Sequence, residues 1–92
     1  MARFIVSLKN MADFRQRILR DTGLTIDDHR LDDAMRRARG DFPLTIAFIS
    51  ASYFESADIL NDKFPEFSGN LRQRAGVYDD WLENNAPDTQ RF

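Results

Sequence analysis

His29 is the chain's only histidine, and Asp32 and Asp33 follow it at three and four positions. On a helix that spacing sets an imidazole and two carboxylates on one face, the start of a metal or acid–base site. The constellation goes no further, because a zinc-type site needs about four ligands and the chain has no cysteine and no second histidine. Arg30 beside the ring adds a competing positive charge. His29 therefore reads as a surface residue of an amphipathic helix, and no metal is expected. Ser50 and Ser52 lack the G-x-S-x-G setting that exposes a nucleophilic hydroxyl, and His29 would have to reach them from an exposed face. The glycines stand alone at 23, 40, 69 and 76, so no glycine-rich loop is present to cradle a phosphate or nucleotide cofactor. The acid pairs Asp27-Asp28, Asp32-Asp33 and Asp79-Asp80 fall at helix starts or on solvent faces. Without a pocket such pairs carry no acid–base chemistry. No catalytic, cofactor-binding or metal-ligating residue is assigned, and an enzyme is not expected.

Two patterns point instead to binding. Eight of the eleven arginines lie within residues 1–39, which carry nine basic and six acidic side chains, a net of +3. Residues 40–92 carry four against nine, a net of −5. Arg15, Arg17, Arg20, Arg36, Arg37 and Arg39 could track a nucleic-acid backbone without reading sequence. A helix-turn-helix reader is excluded, because the helix after Gly40 would offer Leu, Thr, Ile, Ala and Phe to the base edges. The second pattern is Tyr78-Asp-Asp-Trp81-Leu82-Glu83. Tyr78 and Trp81 are residue types that anchor protein interfaces, and Asp79, Asp80 and Glu83 would form their polar rim. Phe48 and Phe54 of the central run are the other candidate contacts. Tyr78 and Leu82 read more simply as the core stripe of the last helix, and Trp81 fits either role.

The element that would position these groups is Phe42 to Phe54, thirteen residues without a charge in a chain that is 30% charged. Continued to Phe64, residues Ile46, Ile49, Tyr53, Ala57, Leu60 and Phe64 recur at helical steps. Asp41 caps and Pro43 suits the first turn. The competing reading makes 44–49 a buried strand paired with 3–8, since both are rich in β-branched and aromatic residues. Around the centre, Asn10 is expected to cap a first helix closed by Gly23. Thr25 opens a second with the seam Leu31, Ala34, Met35 and Ala38. Pro65 ends the third, and Leu71, Ala75, Tyr78 and Leu82 form the stripe of a fourth, where Gly76 implies close packing.

The predicted fold is all-α: a compact antiparallel arrangement of four helices over 3–22, 26–39, 43–63 and 69–84. These form one domain over 1–85, with a polar tail over 86–92. An α+β fold with strands at 3–8 and 44–49 is the runner-up; two strands alone are only marginally stable, which favours helices. The central run is too short for a membrane span of about 20 residues, and five apolar-type residues, Phe4 to Leu8, are too few for a secretory leader. The absence of cysteine suits a reducing compartment, so a cytoplasmic location is expected. By elimination the chain reads as a protein–protein interaction module: an inhibitor, adaptor or subunit, including an inhibitor of the kind mobile elements direct against a host system. A non-specific nucleic-acid binder is the alternative. Eleven aromatic residues exceed what four short helices can bury, so the sequence also predicts exposed apolar surface and a homodimer with Trp81 near the contact.

Overall fold

A computed structural model describes residues 5–88. Of these, 79% are helical, in four helices arranged as the all-α reading expects. They are α1 (Leu8–Thr22), α2 (Asp28–Ala38), α3 (Phe42–Leu60) and α4 (Pro65–Asn85). No strand occurs among the described residues. The segment 44–49 lies within α3, and residues 3 and 4 of the other proposed strand lie outside the described range.

Local chemistry sets the boundaries. Asp41 accepts a hydrogen bond from the Leu44 amide at 2.8 Å and Pro43 occupies the first turn, so the charge-free run begins as a helix. Ser7 caps α1 by accepting from the Asn10 amide at 3.1 Å, in place of the expected Asn10 cap. Asp27 caps α2 by accepting from the Arg30 amide at 2.9 Å, where Thr25 was expected. In both cases the side-chain oxygen three positions ahead of a free amide governs the start. Gly23 closes α1 at φ 75° and donates to the Leu19 carbonyl. Arg39 and Gly40, at φ 53° and 81°, close α2, with the Gly40 amide donating to the Met35 carbonyl at 3.1 Å. Pro65 follows α3 as a stop and also supplies the first residue of α4, which therefore starts at 65 and not at the expected 69.

The core is built on the α3–α4 pair. Ser50 bonds the Ala75 carbonyl, Ser68 bonds the Ala57 carbonyl, and Phe42 meets Trp81. The matching residue numbers rise in one helix as they fall in the other, so the two run antiparallel. Small side chains at Ser50, Ala57, Ser68 and Ala75 let the backbones approach, and the buried hydroxyls satisfy themselves on carbonyls across the gap. Eight of the nineteen residues of α3 are buried, because a helix apolar nearly all round must be covered on several sides. Leu31, Ala34, Met35 and Ala38 lay α2 against it, and the predicted seam is buried throughout. Asp32–Arg36 at 2.9 Å and Asp33–Arg37 at 3.0 Å line the solvent side of α2. In α1 only Ile18 is buried. A Cβ placed on Gly76 would meet nothing within 4 Å, so close packing does not explain that glycine. Ala86 packs on the core, and the expected tail lies outside the described residues from 89 onward.

Candidate interaction surface

The aromatic residues divide between the two ends of the α3–α4 pair. At one end Phe42 opens α3 and Trp81 approaches the end of α4, with ring centroids 5.4 Å apart in an edge-to-face contact. Phe14 of α1 meets Phe42 the same way at 5.1 Å, and the Arg17 guanidinium covers the Phe42 ring at 3.9 Å. The Trp81 indole N–H donates to Asp21 at 3.2 Å. Asp21 also accepts from Arg20 at 3.0 Å. That bond, then the one from Trp81 and the charges of Arg20 and Arg17, hold its carboxyl below the ordinary aspartate value of 3.8 against some opposing desolvation. Trp81 is 8% exposed. Its ring fastens α1 to the α3–α4 pair.

Tyr78 lies on the same face of α4, fully buried and stacked on Tyr53 with centroids 5.9 Å apart. Its hydroxyl has no hydrogen-bond partner among the described residues, and burial pushes the phenol above its usual range. Asp79 accepts from the buried Ser50 hydroxyl at 2.7 Å and so belongs to the α3–α4 contact. Asp80 and Glu83 are exposed, while Phe48 and Phe54 are half-buried against the core. The candidate contact residues therefore do not share one open surface. Ser50 has a carboxylate beside it but no imidazole, since His29 is exposed on α2. Among the described residues no three His, Cys, Asp or Glu side chains come together as a metal site.

The arginines considered for a nucleic-acid backbone are mostly occupied. Arg15 pairs with Asp28, Arg17 and Arg20 with Asp21, Arg36 with Asp32 and Arg37 with Asp33. Arg39 holds the left-handed position at the end of α2.

The other end of the pair has the opposite character. The turn from α3 to α4 is tight: the Phe64 amide donates to the Leu60 carbonyl at 2.8 Å, and Arg72 reaches back to Asp58 at 2.7 Å. That geometry turns Ile59, Phe64 and Phe67 outward, at 73%, 57% and 55% exposure. Phe64 is thus not the last member of the α3 stripe, because the chain leaves the helix at Asn61 before a further turn can bring it inward. From Phe67 an open groove of about 510 Å³ runs along α4, lined by Asn70, Leu71, Gln73, Arg74 and Val77 and bordered on the far side by Leu24. Leu24 is set there by the turn after α1, where Gly23 reverses the chain and the Leu24 amide donates to Thr22 Oγ1 at 3.1 Å. The sequence reading missed this surface. Its one local signal was Phe-Pro-Glu-Phe, two aromatic rings placed beside charges at a helix junction.

No described helix is long and apolar enough to cross a membrane. Comparison of the chain with protein families, curated proteins and solved structures gives no match.

Proposed function

We propose that this chain is a protein-binding module whose contact surface is the α3–α4 corner and the groove leading from it along α4. The observation that carries this reading is the outward placement of Phe64 and Phe67, each more than half exposed and contiguous with a groove. Contiguous exposed rings cost solubility and are retained where a partner covers them. The arginine–aspartate pairs support this reading over backbone-tracking of nucleic acid, because each pair would have to open to free its cation for a phosphate. Size, net acidity and the lack of cysteine suit a cytoplasmic inhibitor, adaptor or subunit, including inhibitors of the mobile-element kind.

The test compares the parent chain with Phe64→Ser/Phe67→Ser as bait in cross-linked lysate of the native host. A protein retained by the parent and lost by the variant, with helicity and melting temperature unchanged, is the expected result. Capture that ignores the substitution contradicts the reading. Self-association is the same reading with a second copy as partner. Light scattering over a dilution series would then show a dimer for the parent and a monomer for the variant.

A further inference from the structure

Arg74 differs from seven other arginines of the chain. Arg15, Arg17, Arg20, Arg30, Arg36, Arg37 and Arg72 each lie within 4 Å of a carboxylate. Arg74 has no such partner among the described residues; its NH1 donates to the Thr25 carbonyl at 3.1 Å. Asp27, two residues further on, is committed to the α2 cap and to Arg30 at 3.3 Å. Arg74 is half-buried, and it lines the groove with Phe67, Leu24 and Val77. A guanidinium carries five N–H donors. Half-buried beside Leu24, Phe67 and Val77, with the neutral Asn70 and Gln73 as the groove's other polar residues, it keeps donors free for a carboxylate or other anion that arrives with a ligand.

We propose that the groove receives an amphipathic helix of a partner protein. Its apolar side chains would seat against Phe67 and against Leu24 and Val77, and an Asp or Glu between them would pair with Arg74. This rests on the protein-binding reading above and specifies its partner. The groove follows α4 from Phe67 to Val77, ten residues or about 15 Å at helical rise. A helix laid alongside keeps the same rise, so anchors two to three turns apart match both ends, the helix-in-groove mode of recognition. A nucleic acid would use the cation but leave Leu24, Phe67 and Val77 uncovered.

The test is selection of helical peptides from a displayed random library against the full chain, followed by affinity measurement. Enriched peptides should carry an acidic residue at fixed spacing between two apolar anchors. Arg74→Gln should weaken them about ten-fold, the usual worth of a charge-assisted hydrogen bond. Changing the peptide acid to its amide should cost the same, with no further loss on Arg74→Gln. Circular dichroism confirms that the variant folds. Peptides that bind through Phe64 and Phe67 without an acidic preference, or without sensitivity to Arg74→Gln, overturn the acidic-helix proposal and leave the protein-binding reading standing. Peptides indifferent to Phe64→Ser/Phe67→Ser as well overturn both. A library that yields no binder also overturns the proposal.

Discussion

The two ends of the α3–α4 pair use aromatic rings in opposite ways. At the Phe42–Trp81 end, rings from α1, α3 and α4 meet edge to face, and polar groups at the margin finish the contact: Arg17 over Phe42, Asp21 on the indole. At the Phe64–Phe67 end, rings of the same type face outward from a turn braced by Asp58–Arg72. The first end has three helices to bury its rings; the second has only the two that make the turn. Burial thus follows from how many elements converge at a place, and residue type alone does not decide it.

Substitutions should separate the two ends by the size of their effect on stability. Phe42→Ala removes the ring that Phe14, Arg17 and Trp81 all touch, and should cost about 3–5 kcal/mol in denaturant unfolding. A loss below about 1 kcal/mol would mean that this end is not core. Trp81→Phe keeps most of the volume but loses the indole bond to a charged acceptor, worth about 1–2 kcal/mol. Its effect should have a pH signature. The stability that Asp21 contributes, present at neutral pH, is lost as pH falls from 3.8 through its lowered folded value. In Trp81→Phe that acid-side loss should shrink; an unchanged acid limb would show that the indole does not act on Asp21.

Tyr78→Phe should act in the other direction. The buried hydroxyl has no partner among the described residues, so its removal should be neutral or stabilise by up to about 1 kcal/mol. The folded phenol stays protonated above about pH 10, where the unfolded one ionises, so the parent loses stability as pH rises past that value. The variant should lose less. Destabilisation by Tyr78→Phe would reveal a partner for the hydroxyl. The smallest effect belongs to Phe64→Ser/Phe67→Ser, expected to move stability by no more than about 0.5 kcal/mol per site. A loss matching that of Phe42→Ala would place these rings in the core and remove the contrast.

Much of this was legible in sequence. Asp41 and Pro43 named the start of α3, and Leu31, Ala34, Met35 and Ala38 marked the buried seam of α2, because caps and periodicity are local properties. The candidate surface was not legible. Phe64 continues the α3 stripe in periodicity, and only the break at Asn61 turns it outward. Pro65 looks like a stop, although the same fixed φ suits the first turn of the next helix. Trp81 fits interface anchor and core alike until Asp21, sixty residues away, meets its indole N–H. Leu24 reaches the groove through the turn at Gly23, a long-range placement that no window of residues contains.

The most direct test of this division of labour uses the single tryptophan as a marker. Bound to a selected helical peptide, the ¹⁵N-labelled chain should show shifted amides at Leu24, Phe67, Asn70 and Val77. The Trp81 indole N–H resonance, at the far end of the pair, should stay in place. An indole signal that moves on binding while the Phe67 amide is unaffected would contradict the account.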